Sequence, residues 1–373
     1  MSQRDGNATE LHREPKWSIA IKSFSPLWFT ISMDTGILSI LLNLLPYHFA
    51  GHGILSTILF IFNIALFTAF TLISILRASK FRHHVRTQTF SSLEELSYLG
   101  APPTAFLTLV AQVSLTCSTA WGYPWTVVAY VLWWIGLVWT VGLTSFSFVV
   151  LAKRNITSDR QLTPAIFLPL ISVMTLGTTA GIVTNYSVGI SASMAIPVIV
   201  VGYMAIGYAF FLSLMYYAYI AHKLIAVGLP EPGKIPTLVI TVGPMGQFAT
   251  AIQVLSTAAS SRGLFGEYNE GTWLKVSAAS SVSAAAVLIA LLALGFAFMW
   301  ITVSWYVVVE ALVKKELPFS LTWWSLIFPI GVALGIPQQR EEEDEQAKEK
   351  KERMDRYIVR NGSAGGHVSG SHV

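Results

Sequence analysis

The sequence predicts an all-α polytopic membrane protein: antiparallel helical hairpins whose odd-numbered, proline-kinked helices ring a central pore. Three observations carry this. Hydrophobic residues make up 53% and charged residues 12% of 373 positions, and several charge-free stretches reach the roughly 20 residues that a hydrocarbon core requires. Proline falls within or at the mouth of alternate apolar runs: Pro26, Pro102 with Pro103, Pro164 with Pro169, Pro244, and Pro329. Because proline frees a backbone carbonyl that lipid cannot satisfy, five such helices in alternation point to a ring around a polar path. Finally, Lys and Arg concentrate in alternate connections, as expected of a chain that crosses a membrane repeatedly.

Nine apolar runs follow in order. The first, 25–45, comes after a polar leader expected to be disordered over 1–15, and no small-residue cleavage site follows it, so it reads as a retained span rather than a signal peptide. The second, 54–76, is uninterrupted. The third, 98–119, opens on Gly100-Ala-Pro102-Pro103, and the five residues from Ala120 to Pro124 join it to the fourth, 124–151, as a helical hairpin. The fifth, 163–184, opens on Thr163-Pro164 and is joined by a short connection to the sixth, 194–221. A turn-rich stretch, 226–235, precedes the seventh, 236–258, and a polar, Gly-containing loop, 259–275, precedes the eighth, 277–309. The ninth, 321–336, has 16 residues and rises only about 24 Å against a core of about 30 Å. The spans make one domain, 16–337. After Pro337 the composition shifts to charged residues, and 338–373 reads as a solvated helix or a disordered tail.

The basic residues assign the faces. Lys16 and Lys22, then Arg77, Lys80, Arg82 and Arg86, then Lys153, Arg154 and Arg160, then Lys223 and Lys234, then Lys314 and Lys315 fall in the leader and the even connections. The first, third and fifth connections have none, and the seventh has only Arg262 and Lys275 beside Glu267 and Glu270, which predicts a cytoplasmic amino terminus. The net charge of +4 therefore reflects membrane topology and implies no nucleic-acid partner. Cys117 is the only cysteine, so no intramolecular disulfide forms.

Three groups of residues resemble a known family. Phe24-Ser-Pro26-Leu-Trp28-Phe29 with Met33-Asp34-Thr35-Gly36-Ile37 and Pro46-Tyr47, then Val242-Gly-Pro244-Met-Gly246-Gln247, then Thr322-Trp323-Trp324-Ser-Leu-Ile-Phe328-Pro329 are similar to the first, seventh and ninth spans of the tellurite-resistance/dicarboxylate transporters. Within that family, which belongs to the voltage-dependent anion channel and malic acid transport superfamily, the likeness is greatest to the fungal sulfite efflux pumps. It covers roughly residues 16 to 336. The resemblance implies ten spans as five hairpins, an inner ring of odd helices, a homotrimer with one pore per subunit, and Phe328 as the residue that plugs the pore. Two features depart from the family pattern. Asp34 stands where the pattern has glycine, and the tenth span is absent, so the chain is either a shortened form or ends on a gene-model error.

Asp34 brings a carboxyl to membrane depth, where ionisable groups are costly and default to functional hypotheses. It reads either as a group on the substrate path, neutral or proton-coupled, or as a cap on one half of a broken helix. Thr35, Gly36, Thr104, Thr179 and Gln247 are the other candidates for the path, with Thr108, Gln112, Thr175, Thr178, Thr250 and Gln253 on the same helices. Their hydroxyls and amides are suited to replace part of an anion's hydration shell. Taken singly, each such residue is more often a helix-packing contact. Pro26, Pro102, Pro103, Pro169, Pro244 and Pro329 are the expected kinks. Trp121, Trp125, Trp133, Trp134 and Trp139 read as interfacial anchors and lipid-facing packing. His48 with His52, and His83 with His84, lack metal-site spacing, so neither metal nor cofactor is expected. Glu310 and Lys314 read as a surface i, i+4 pair.

These features predict transport of a small anion, with sulfite efflux across the plasma membrane preferred on the resemblance and malate or another C4-dicarboxylate as the alternative. A dicarboxylate calls for a basic residue in the pore, and the odd runs show none. A membrane-embedded enzyme or signalling protein is the competing class, but an enzyme requires convergent titratable groups at depth, and Asp34 is nearly alone. The expected partners are the anion and the lipid bilayer.

Overall fold

The computed structural model describes residues 15–45, 49–154, 162–260, 263–271 and 273–333. Pro46-Tyr47, the leader 1–14 and the tail 338–373 lie outside them, as does the question of a tenth span. Among the described residues every regular element is helical. Seven helices are long and apolar enough to cross a bilayer: His52–Lys80, Leu93–Trp121, Tyr123–Arg154, Pro164–Tyr186, Ala192–Ala226, Pro232–Ser260 and Val276–Val313. Ahead of them, Lys16–Lys22 and Pro26–Asn43 form one apolar pair bent by 79°, and after them comes the shorter apolar helix Leu321–Ala333. In chain order these nine segments are spans 1 to 9.

Burial separates the spans into two rings. In the apolar stretches of spans 3, 5 and 7, 67, 100 and 94% of residues are buried, against 17, 28, 39 and 28% in spans 2, 4, 6 and 8. The even spans are unbroken, 29 to 38 residues long, and carry exposed Ile, Leu, Phe and Val side chains such as Ile58, Val138, Phe211 and Leu292. Such a surface suits lipid, as hydrocarbon chains are as apolar as leucine. Pro197, one to two turns into span 6, leaves that helix continuous.

The odd spans are broken, and the prolines expected as kinks sit at the first turns of helices, while Pro236 lies inside the 3-10 stretch Pro232–Val242. Pro26 starts a short 3-10 turn at the 79° bend, capped by the Ser25 hydroxyl. Pro102 and Pro103 open the α-helical part of span 3, which ends in a π-helical turn over Val113–Ser118. Pro169 follows the 3-10 turn Pro164–Phe167, and Pro244 follows the 3-10 stretch Pro232–Val242. Pro329 lies just after the 3-10 turn Leu321–Leu326. At a helix start the missing N–H costs nothing, and the ring fixes the φ that the helix needs.

Several carbonyls at the breaks of spans 5 and 7 are satisfied by protein side chains, one of the ways a freed carbonyl is tolerated at membrane depth. The donors belong to other spans. Thr144 donates to the Pro169 carbonyl at 2.8 Å, Ser304 to Leu238 at 3.0 Å and Ser325 to Pro236 at 3.0 Å. Tyr217 donates to Thr241, and the buried Lys223 ammonium to Leu162. Outer helices supply four of these donors and span 9 supplies Ser325, so the protein provides what lipid lacks. Trp133 belongs to the same group: instead of facing lipid it is fully buried and donates its indole N–H to the Leu176 carbonyl at 3.0 Å. Trp121 and Trp139 are exposed, as interfacial or lipid-facing residues should be.

Candidate anion path

The five odd spans surround a cavity of about 40 Å³, and each contributes to its wall. Span 1 presents Ile37, Ile40, Leu41 and Leu44, and span 3 presents Thr108 and Ala111. Thr175, Thr178, Thr179 and Ile182 come from span 5, and Gln247 and Thr250 from span 7. Span 9 closes it with Phe328, Gly331 and Val332. The spacing of these residues, three or four apart on each helix, marks the single face that each odd span turns inward. Among the described residues no charged side chain lines the cavity.

Most of the hydroxyl hydrogens in the wall are already engaged. Thr108 donates to the Ala105 carbonyl, Thr175 to Ile171 and Thr250 to Val332, each at 2.8 Å, and Thr179 to Leu107 at 3.4 Å. The Thr250 bond also ties span 7 to span 9. Gln247 donates its amide to the Thr178 hydroxyl at 2.7 Å, joining spans 5 and 7, while its Oε1 has no partner among the described residues.

Phe328, Thr179 and Gln247 therefore stand on the cavity, and Asp34, Thr35, Gly36 and Thr104 stand off it. Thr35 donates to Ile31 and Thr104 to Gly100 within their own helices. Gly36 is a packing position, since a Cβ there would lie 2.0 Å from the Thr108 hydroxyl and 2.7 Å from the Asn63 amide. Asp34 is the sixth residue of the helix 29–43 and caps nothing. Its carboxyl is buried, and the Phe328 backbone amide approaches it without reaching hydrogen-bond geometry. Gln112, on the expected path, is a tie between helices, with its amide on the Ser39 hydroxyl. Asn63 of span 2 was not singled out in the sequence; it accepts from Ser32 and donates weakly to Thr108. Its only signal there was an amide inside an otherwise apolar run. The apolar lining residues carried no signal at all.

Seven membrane-length helices, a buried inner ring and a cavity walled by that ring define an integral membrane protein with a cavity in its own core. The chain belongs to the voltage-dependent anion channel family, whose sequence model matches residues 23–335. It is 28% identical over 318 residues to a sulfite efflux pump of Arthroderma benhamiae, covering 84% of this chain and 80% of that protein. A sulfite efflux pump of Trichophyton rubrum matches with the same identity and coverage. A malic acid transport protein of Schizosaccharomyces pombe is 24% identical over 328 residues, covering 83% of this chain and 68% of that one. Its family places the chain among channels and transporters of small anions rather than among enzymes.

Proposed function

We propose that the chain carries sulfite out of the cell across the plasma membrane, through the odd-helix cavity, with Phe328 as the gate and the amino terminus in the cytoplasm. The cavity is the observation that supports this: all five odd spans wall it, Phe328 is 1% exposed within that wall, and among the described residues no charge lines it. A phenyl ring across a narrow apolar constriction stops ions by excluding water, and its removal opens the way. The basic ends of spans 2, 4, 6 and 8 share one face, which under the positive-inside rule is the cytoplasmic one. Assembly as a homotrimer, each chain with its own path, belongs to this proposal through the family likeness and places part of the exposed apolar surface between copies.

A malate path is the second possibility, supported by the malic acid transport protein among the relatives. The uncharged wall argues against it, because a dianion entering low dielectric without a countercharge carries a desolvation cost that grows with the square of its charge. The deciding experiment is flux of labelled sulfite and labelled malate in proteoliposomes. Sulfite flux in the wild type that rises with Phe328→Ala supports the path and the gate. Absence of sulfite flux from folded protein overturns the proposal, and malate flux without sulfite flux replaces it with the second.

A further inference from the structure

The wall of the cavity is poor in free hydrogen-bond donors, which is unexpected for an anion path. Four of its threonines spend their hydroxyl hydrogens on backbone carbonyls: Thr108 on Ala105, Thr175 on Ile171, Thr179 on Leu107 and Thr250 on Val332. A hydroxyl has one hydrogen and two lone pairs, so these four offer an occupant only lone pairs, which repel an anion. Thr178 is different. It accepts from the Gln247 amide at 2.7 Å and donates to no acceptor among the described residues, so its hydrogen is available to the cavity. Beside it, Gln247 Oε1 is an acceptor without a partner, on a side chain only 1% exposed. A buried polar atom left without a hydrogen bond is costly and calls for an occupant.

We infer that Thr178 and Gln247 form the anion-binding site of this cavity, and that it takes a singly charged oxyanion that still carries a hydrogen, such as hydrogensulfite. The inference deepens the transport reading and rests on it. An oxygen of the anion accepts from the Thr178 hydroxyl, and the anion's own O–H donates to Gln247 Oε1. One bound species thus satisfies both open valences of the pair. Fully deprotonated sulfite fails on two counts: it has no hydrogen for Oε1, and its double charge enters a wall with no cation. A monovalent oxyanion without hydrogen, such as nitrate, fits the charge but leaves Oε1 unsatisfied.

The test compares sulfite and nitrate flux in proteoliposomes of the full chain, over a pH series at constant total sulfite. The wild type should favour sulfite over nitrate at acid pH. Its sulfite-to-nitrate ratio should fall as pH rises, in step with the hydrogensulfite fraction, since nitrate does not titrate and corrects for any pH response of the protein. Gln247→Met should lower sulfite flux about tenfold, the scale of one hydrogen bond, and should lower the sulfite-to-nitrate ratio with it. The melting temperature of the variant in detergent reports whether it is folded. Thr178→Val should lower both fluxes, and Thr178→Ser should restore them. A ratio that rises with pH, or a wild type that prefers nitrate, overturns the inference while leaving transport intact; so does a Gln247→Met variant that loses both fluxes equally. Should Gln247→Met not fold, the wild-type ratio still decides. Flux of neither anion overturns the transport reading and this inference with it.

Discussion

The carboxyl of Asp34 in span 1 lies against the backbone amide of Phe328 in span 9, and neither of its oxygens has a hydrogen-bond partner among the described residues. A carboxyl at membrane depth is thereby placed beside the backbone that carries the candidate gate. An uncompensated charge in a protein interior costs several kcal/mol, so a proton equilibrium at Asp34 is expected to alter how span 9 packs on span 1. Asp34→Asn keeps the shape and removes the proton equilibrium. Its nitrate flux should become independent of pH, whereas wild-type nitrate flux should vary with pH. Equal pH profiles for nitrate in the two proteins would show that Asp34 does not act on the gate.

Phe328 lines the cavity with its side chain, and its backbone amide lies beside the Asp34 carboxyl. Truncation to Ala should raise anion flux several-fold, and Phe328→Leu, which refills part of the constriction, should give an intermediate value. Flux of both variants at or below the wild-type level, in protein of unchanged melting temperature, would make Phe328 a packing residue and nothing more.

Two glycines allow the inner helices to touch, and they should respond differently to an added methyl group. At Gly100 a Cβ would lie 2.4 Å from the Leu168 carbonyl carbon and 2.5 Å from the Pro169 nitrogen, both backbone atoms at the break in span 5. At Gly36 its nearest neighbours are side-chain atoms of Thr108 and Asn63, which can shift. Overpacking typically costs about 1–3 kcal/mol. Gly100→Ala should fall at or above the upper end and Gly36→Ala below it, read as the loss in melting temperature in detergent. The reverse order would contradict the packing described.

Tyr217 of span 6 donates its hydroxyl to the Thr241 carbonyl, next to the break before Pro244. Tyr217→Phe leaves the ring stacked among Phe167, Phe296 and Trp300 and removes only that bond. Interhelical hydrogen bonds in membranes are worth about 0.6 kcal/mol on average and up to about 1.7. The variant should therefore melt slightly earlier, with flux reduced less than twofold. A loss of flux without a loss of stability would place the Thr241 carbonyl on the path.

By itself the sequence determined the number and order of the apolar segments, the breaks in alternate ones and the separation of an inner from an outer ring. These follow from local causes: proline lacks an N–H, and a hydrocarbon core demands a fixed length of apolar residues. It also brought Phe328, Thr179 and Gln247 forward, and all three stand on the cavity. Tertiary structure alone decided which hydroxyls are free. Thr104 and Thr178 are the same residue type on alternate inner helices, yet Thr104 is turned back on the Gly100 carbonyl and Thr178 meets Gln247 across two spans. The freed carbonyls were legible, but their outer-ring donors Thr144, Tyr217 and Ser304 were not, because a hydrogen bond between distant helices leaves no periodicity in the chain. Asp34 shows the same division: its presence at depth is a fact of sequence, and its position beside Phe328, 294 residues away, arises only from the packing of span 1 on span 9.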